Sequence, residues 1–241
     1  MILVQCCHGE AHRDHPDPDD GLGLRERKKR QTAARIYRSA IGLFTDRGFD
    51  EVSVAEIAAA AEVSKMTVFN YFPTKEDLVM APMEDHTDEA ARVVRERAPD
   101  ASVVAALRDQ FLAALAGFDP ATGLNDDPFT LSVVRLIHRT PTLALRAITT
   151  VSHQANRLLT AELLRQDPAG DRIRAEVAAA QLLGVRVALT SHNQDRMLAG
   201  ERAADVLPEA VENARRAYDM VEHGLGDYGL WPGAAPAQPT A

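Results

Sequence analysis

Residues 51–80, EVSVAEIAAAAEVSKMTVFNYFPTKEDLVM, decide the fold of this 241-residue chain. The stretch begins with the pattern of an alanine-rich helix, breaks just before Ser64 and continues with small, polar and aromatic residues. Ser53 and Glu56 have the spacing of a capping box, and Ser64 and Thr74 are further N-cap residues, so three short helices begin within this stretch. This arrangement predicts a helix-turn-helix, in which one helix braces the next.

The predicted second and third helices have an apolar face and a polar face. The apolar positions are Val54, Ile57, Ala58 and Ala61, with Val63, Val68 and Phe72 as further core residues. The polar face comprises Lys65, Met66, Thr67, Asn70 and Tyr71. Asparagine pairs bidentately with adenine, lysine reaches guanine, and methyl groups contact thymine. We therefore expect the polar face to contact base edges and phosphates, although Tyr71 fits core packing equally well.

Positive charge is concentrated before and at the start of this stretch. Residues 25–48 carry a net charge of +6, whereas the whole chain carries −8, so the remainder carries −14. Such asymmetry is typical of a protein in which a single region meets phosphates. A solvated helix face explains a basic run equally well, so charge alone leaves both interpretations open.

Residues 25–80 resemble the N-terminal domain of the TetR family of transcriptional regulators. The residues that match the motif of this family are Phe44, Gly48, Ser53, Val54, Ile57, Ala58, Val63, Ser64, Thr67, Tyr71, Phe72, Thr74, Lys75, Glu76 and Leu78. Two positions depart from the motif: Phe69 stands where the family often has tyrosine, and Glu62 replaces the turn glycine. If Glu62 has a positive φ, the strain is on the order of 1 kcal/mol.

The resemblance implies a set of DNA contacts. It comprises Arg27, Lys28, Lys29, Arg30, Ser53, Ser64, Lys65, Met66, Thr67, Asn70, Tyr71 and Lys75. Arg27–Arg30 would form an arm along the DNA backbone or the minor groove, and Ser53 would donate its hydroxyl and backbone N–H to a phosphate. Lys75 is either a phosphate contact or a solvated residue of the fourth helix. The first is favoured, because a lysine near a helix N-terminus is unfavourable without an anion.

Beyond residue 80 the chain has the periodicity of longer helices and no β-alternation of useful length. The predicted helices cover residues 77–98, 101–117, 127–138, 141–166, 171–198 and 203–223. The fold class is therefore all-α, with an N-terminal three-helix helix-turn-helix domain followed by a helical bundle. We divide the chain into a disordered N-terminal extension (1–24), the helix-turn-helix domain (25–76), a helical ligand-binding and dimerisation domain (77–225) and a flexible tail (226–241).

The resemblance implies a ligand pocket in the helical domain. The candidate ligand-binding residues are the aromatics Phe111, Phe118 and Phe129, with Arg135 and His138 as polar anchors and Arg186 and His192 as second choices. Core packing or surface exposure explains each of them as well. The helical layout is similar to that of family members that sense acyl-type or other lipophilic molecules, so we expect a small lipophilic effector.

The last two predicted helices carry a candidate dimer interface. Their apolar positions are Ile173, Val177, Ala180, Leu183 and Val187, followed by Val206, Ala210, Ala214, Ala217 and Val221. The resemblance implies that these helices pair with their copies in a four-helix interface. An internal bundle within one subunit fits the same spacing.

The resemblance implies a homodimeric regulator that binds double-stranded operator DNA, acts as a repressor and is released by its effector. An architectural DNA-binding protein without a ligand is the alternative. An enzyme is the other rival, but the sequence has no nucleophile elbow, phosphate-binding glycine loop or zinc-spaced cluster. We therefore expect neither enzymatic activity nor a cofactor.

Metal binding and membrane insertion are not expected either. The N-terminal group Cys6, Cys7, His8, His12 and His15 lacks the separated spacing of structural zinc sites. The sequence contains no run of about eighteen apolar residues that could cross a membrane. Its two adjacent cysteines cannot form a disulfide scaffold. We therefore expect a cytoplasmic, nucleoid-associated protein.

Overall fold

The computed structural model describes residues 23–98, 100–167 and 171–224. In these ranges every regular element is helical, so the all-α prediction is confirmed. The α-helices are α1 (Leu24–Arg47), α2 (Val54–Ala60), α3 (Lys65–Tyr71), α4 (Asp77–Glu84), α5 (Glu89–Glu96), α6 (Val103–Ala116), α7 (Pro128–Arg139), α8 (Pro141–Arg146), α9 (Ser152–Gln166), α10 (Arg172–Leu198) and α11 (Ala203–His223). The extension predicted for residues 1–24, apart from its last two residues, and the tail predicted for residues 226–241 lie outside the described residues.

We call α1–α4 the head. Its core forms because the apolar face of α1 recurs at helical spacing and meets the apolar faces of α2, α3 and α4. The buried residues of these helices and their loops are Ala33, Ile36, Tyr37, Ala40, Ile41, Phe44, Phe49, Val52, Ile57, Ala58, Ala61, Val68, Phe72, Leu78, Val79 and Met80. Val68 and Phe72 are among them, which confirms their predicted place in the core.

The basic segment does not form a separate arm in this structure. Helix α1 begins at Leu24, so Arg27–Arg30 lie in its first two turns. Apolar periodicity is detectable only from about Gln31, and it therefore underestimates the helix. The earlier start is favoured by arginine and lysine, which are good helix formers, and by the absence of glycine or proline between Gly23 and Gln31.

The prediction of one helix over residues 77–98 is wrong, because the chain divides into α4 and α5. Pro82 has no backbone N–H and weakens the hydrogen bonding of α4. After it the backbone tightens: His86 N–H donates to Met83 O and Thr87 N–H to Glu84 O, both at 3.2 Å. The Thr87 hydroxyl also donates to Glu84 O (2.8 Å), which helps to end the helix.

We call α5–α11 the bundle. The predicted bounds of α6, α7, α10 and α11 agree with the structure to within two residues. The predicted helix over residues 141–166 is present as α8, a π-helical turn (Ala147–Val151) and α9. In the bundle α6 packs on α11, α5 on α9, and α9 on α10. Its core includes the buried residues Leu107, Phe111, Leu115, Leu124, Leu159, Leu182, Met197, Val206 and Tyr218.

The two helices of the predicted dimer interface differ in exposure. Val206, Ala210 and Ala214 of α11 are buried inside the subunit, because α11 packs against α6. For these three residues the internal-bundle interpretation is therefore the correct one. On α10, by contrast, an exposed stripe comprises Ile173, Val177, Ala180, Gly184 and Val187. We call this set the α10 stripe.

A turn between α6 and α7 docks closely on α10. A short 3-10 helix (Pro120–Thr122) ends at Gly123, which has φ +75°. Asn193 of α10 donates from Nδ2 to Thr122 O at 2.9 Å. A Cβ atom at Gly123 would lie 2.2 Å from Thr190 O, a distance that real Cβ atoms do not adopt. Both the backbone conformation and the close approach therefore require glycine.

Residues of the bundle complete the core of the head. Leu136 of α7 and Leu143 of α8 are buried in the same cluster as α1–α4. Phe129 of α7 packs edge to face on Tyr37 of α1, with ring centroids 5.8 Å apart. The predicted boundary between residues 76 and 77 therefore does not separate two independent cores, because α4, α7 and α8 all contribute to the first one.

Candidate nucleic-acid interface

Helix α3 begins at a capped and strained turn. The Ser64 hydroxyl accepts a hydrogen bond from Thr67 N–H (3.0 Å) and lies 2.8 Å from the Thr67 hydroxyl. Both residues are predicted DNA contacts, and in this structure they cap α3. Glu62, which stands at the turn glycine of the family motif, has φ +51°, so the condition for strain at this position is met. This left-handed conformation costs about 1 kcal/mol and sets the direction in which α3 leaves α2.

Helix α3 buries one face and exposes another. Val68 is fully buried, whereas Met66 is 68% and Phe69 38% exposed, and Lys65 and Asn70 are exposed as well. The Lys65 ammonium lies 5.7 Å from the centroid of the Phe69 ring, within cation–π range. Phe69 was not among the predicted contacts, yet it belongs to this face. Its spacing of four residues from Lys65 is the signal that indicates it.

Two of the predicted DNA contacts, Tyr71 and Lys75, are partly buried. The Tyr71 ring packs on the head core and lies 6.4 Å from the ring of Phe72. The Lys75 ammonium donates to Phe49 O (2.8 Å) and Val52 O (3.3 Å) and lies 4.4 Å from the centre of the Phe49 ring. Lys75 thus ties the start of α4 to the loop between α1 and α2, and for both residues a phosphate contact stays a prediction.

Ser53 is engaged within its own capping box. Its backbone N–H and hydroxyl donate to Glu56 Oε2 (2.9 and 2.7 Å), and its Oγ accepts from Glu56 N–H (3.3 Å). Arg47 Nη1 lies 2.6 Å from Glu56 Oε1. The hydrogen bonds from Ser53 first, and from Arg47 next, lower the pKa of Glu56 to about 2. A phosphate contact from Ser53 therefore requires the Glu56 carboxylate to move.

The first turns of α1 display the predicted basic residues. Arg27, Lys28 and Lys29 are exposed, and Arg30 is partly buried. Cations at a helix N-terminus are unfavourable, because the free N–H groups there carry partial positive charge. A neighbouring phosphate backbone would offset this repulsion, so the segment is suited to an anionic partner.

The seven candidate ligand-binding residues do not converge. Phe129 is in the head core rather than a bundle pocket, because its face of α7 meets α1. Arg135, His138 and His192 are exposed. Phe118 is partly buried in the bundle, and its carbonyl accepts from Asn125 Nδ2 (2.8 Å). Only Phe111 and Arg186 lie beside one common feature, a polar cluster in the bundle.

This polar cluster lies where α5, α6, α10 and α11 meet. Arg186 Nη2 donates to Glu89 Oε2 (2.6 Å), and Gln110 Nε2 donates to Glu89 Oε1 (2.9 Å). Tyr218 is buried, its ring centroid lies 6.3 Å from that of Phe111, and burial raises its pKa to about 12. A mostly buried ion pair adds little net stability, since its desolvation offsets its attraction. The cluster is therefore a candidate for a ligand-recognition function.

A cleft of about 460 Å³ lies between the loop that joins α1 to α2 and the helices α7 and α8. Arg135 and Arg139 line the α7 side, and Asp50 and Glu51 line the other. Arg135 thus faces the junction of head and bundle. Within the described ranges, no cluster of three or more His, Cys, Asp or Glu side chains is arranged to hold a metal. None of the helices described has the length and apolar character needed to cross a membrane.

Comparisons with known proteins agree with this architecture. The domain model of bacterial regulatory proteins of the tetR family matches residues 36–81. The HTH-type transcriptional regulator TcmR of Streptomyces glaucescens is 30% identical over 125 residues, which cover 52% of this chain and 55% of TcmR. An uncharacterized HTH-type transcriptional regulator of Mycobacterium bovis is 26% identical over 201 residues, 82% of this chain and 94% of that protein.

A solved structure has the same helical fold. The crystal structure of NalD, the secondary repressor of the MexAB-OprM multidrug efflux pump in Pseudomonas aeruginosa, superposes with a TM-score of 0.51 at 16% identity. The match covers 78% of this chain and 96% of NalD. At this identity the likeness concerns the fold alone, and this chain spans about half the length of TcmR. On the family-model match, residues 36–81 carry a helix-turn-helix domain of the type found in bacterial regulatory proteins of the tetR family, and the relatives that the chain resembles are HTH-type transcriptional regulators.

Proposed function

We propose that this protein is a homodimeric transcriptional repressor that binds operator DNA through α3 and releases it when a small lipophilic effector binds the bundle. One observation carries the proposal: α3 buries Val68 and displays Lys65, Met66 and Asn70 to solvent. The exposure of Met66 and of the Phe69 ring costs hydrophobic stabilisation. A helix that enters the major groove of DNA recovers part of this stabilisation when its exposed face becomes covered.

The DNA-binding step is tested by selection from a pool of random duplexes with the wild-type protein. The affinity for the enriched duplex is then measured by fluorescence anisotropy. Asn70→Ala and Lys65→Ala are each expected to weaken binding by about 1–3 kcal/mol, the value of a good side-chain contact to a base. Arg92→Ala, which removes an exposed cation from α5, is the matched control. The proposal fails if no duplex is enriched or if the α3 variants bind as wild type does.

The α10 stripe supports the homodimer. Ile173, Val177 and Val187 are 61%, 50% and 54% exposed in the isolated chain, and the small residues between them permit close approach of a second helix. Val177→Glu is expected to halve the solution mass measured by light scattering and to abolish tight binding to a two-half-site duplex. Leu145→Glu, at an equally exposed apolar position on α8, is the control and keeps the wild-type mass.

The polar cluster supports recognition of an effector in the bundle. Arg186 and Glu89 form an ion pair that a polar group of an effector would replace, and the buried rings of Phe111 and Tyr218 pack on each other in the same cluster. Thermal-shift screening of fatty acids, acyl-CoAs and hydrophobic drugs is expected to identify a binder, because a ligand of the native state raises its stability by mass action. Arg186→Met abolishes the shift if the ligand binds here, whereas Arg174→Met on the outer face of α10 leaves it unchanged.

A further inference from the structure

We infer that Arg146 is a positioning residue that holds the head in its DNA-binding orientation. The adjoining π-helical turn determines whether the Arg146 side chain reaches α4. This inference rests on the proposed function and names the route by which the bundle regulates the head.

The Arg146 side chain forms hydrogen bonds with residues at both ends of α4. Its Nη2 donates to Asp77 Oδ1 and also to Glu84 Oε1 (2.8 Å). Its Nη1 lies 3.4 Å from the Thr74 hydroxyl. Asp77 and Glu84 are the first and last residues of α4, and their separation of seven residues puts them on one face, two turns apart. A single guanidinium from α8 thus joins both ends of α4, in addition to the apolar contacts that Leu136 and Leu143 make with the head core.

Helix α4 transmits its position to α3. Leu78, Val79 and Met80 are buried in the head core, so α4 and the rest of the head move together. Asp77 is joined to the exit of α3 as well, because its carboxylate accepts from Thr74 N–H at 2.7 Å. A shift of α4 along or about α8 therefore redirects the exposed face of α3.

The ionic contact is partly shielded from water, but it is incompletely satisfied. The side chains of Arg146 and Asp77 are 24% and 15% exposed. Burial alone would raise the pKa of Asp77, but the hydrogen bonds from Thr74 and Arg146 outweigh it and lower that pKa. Arg146 Nε is buried and has no hydrogen-bond partner among the described residues. Because an unpaired buried donor is unfavourable, this arrangement of Arg146 is less stable than one in which Nε also has a partner.

The π-helical turn supplies a means of switching between such arrangements. Arg146 is the last residue of α8, and the π-helical turn Ala147–Val151 follows directly. Each residue of an α-helix contributes about 100° of rotation, so converting the turn to α-helix rotates α8 relative to α9 by about that amount. Ala147 and Val151 pack on the head core, whereas α9 packs on α5 and α10. An effector that binds the bundle better with an α-helical turn would thus withdraw Arg146 from α4.

The test compares Arg146→Met with Arg165→Met in the full-length chain. Arg165 is the matched control, because its ion pair with Glu162 lies within α9. Spin labels at Ala60→Cys in α2 and Ala113→Cys in α6 report the distance between head and bundle within one protomer. Cys6 and Cys7 are replaced by serine, and labelled protomers are diluted into unlabelled ones, so the measurement needs neither DNA nor an effector.

Arg146→Met is expected to broaden the label-to-label distance distribution and to weaken binding of the selected duplex about tenfold, within the usual range of coupling between sites. Arg165→Met is expected to leave both unchanged. Glu84→Gln removes one partner and gives the same change at smaller size, and Arg146→Lys restores part of the loss. Circular dichroism melts confirm that each variant is folded.

The inference is overturned if folded Arg146→Met and Glu84→Gln have the wild-type distance distribution and affinity. It is also overturned if Arg165→Met produces the same changes, since loss of any arginine would then suffice. Failure of the proposed function looks different: no duplex is selected, while the distance distribution still responds to Arg146.

Discussion

The head and the bundle are both helical, but they differ in how far apart in sequence their decisive contacts lie. In the head, the capping bonds of α2 and α3 join residues three apart. In the bundle, the Glu89–Arg186 pair joins residues 97 apart, and the backbone at Gly123 lies close to the backbone carbonyl of Thr190 on α10. A short motif therefore specifies the local geometry of α2 and α3 in the head, whereas the bundle depends on contacts that no local pattern contains.

The largest expected effect tests the dependence of the bundle on distant contacts. Gly123→Ala adds a Cβ atom against the Thr190 carbonyl at a φ of +75°. Overpacking together with left-handed strain is expected to lower the free energy of unfolding by about 2–4 kcal/mol, measured by urea denaturation. Gly117→Ala is the control, because its Cβ would meet only atoms at 3.7 Å or beyond. Equal midpoints for both variants would contradict the importance of this turn.

The next effect tests whether one long-range contact matters in the head. Lys75→Met removes a charged donor from the carbonyls of Phe49 and Val52 and is expected to cost about 2 kcal/mol of stability. Lys65→Met, on the exposed face of α3, should leave the urea midpoint unchanged and reduce DNA affinity instead. If Lys75→Met keeps wild-type stability but reduces both affinity and its salt dependence, Lys75 is a phosphate contact, as the family resemblance implies.

Acid titration compares the two regions within one molecule. Hydrogen bonds from Arg165 first, then Gln166 and Arg95, outweigh burial and lower the pKa of Glu162 to about 2. A carboxyl group with a lowered pKa in the folded state stabilises the fold above its unfolded value, near 4.5, and loses this contribution as the pH falls from there to about 2.

Removing that carboxylate should therefore flatten the dependence of the melting temperature on pH over the same window. Glu162→Gln, in the bundle, is expected to flatten the dependence of the melting temperature on pH. Glu56→Gln, in the head, is expected to do the same, because the pKa of Glu56 is also about 2. An unaltered slope in both variants would show that other groups dominate acid unfolding.

The smallest effect concerns the turn before α3. Glu62→Gly relieves left-handed strain, but it also makes the unfolded chain more flexible, so a net gain of about 0.5 kcal/mol is expected. Ala59→Gly in α2 has only the second consequence and should destabilise the protein by about 1 kcal/mol. The pair is measured by urea denaturation, and a loss of stability in Glu62→Gly would contradict the strain.

Much of the head was predictable because its signals are local. The capping box at Ser53 and the cap at Ser64 follow from residue type and spacing. The positive φ of Glu62 does not, because glutamate disfavours it, and only the turn glycine of the family motif pointed to it. The burial of Val68 follows from the same periodicity. What local signals could not reveal was the destination of the Lys75 ammonium, because its partners lie more than twenty residues away.

In the bundle, the helix bounds were predictable but the helix partners were not. Periodicity located α10 and α11 to within a residue, but it could not distinguish the buried Ala210 from the exposed Val177. Phe129 was assigned to a ligand pocket although it packs on Tyr37. An apolar position indicates that something covers it, and only the packed structure tells which helix does so.

Leu136 and Leu143 prevent the head from being separated cleanly from the bundle. A fragment that ended after α4 would lack these two side chains and would expose part of the head core to water. Experiments that graft the head onto another protein must therefore include α7 and α8, or redesign the surface of the head that these two helices cover.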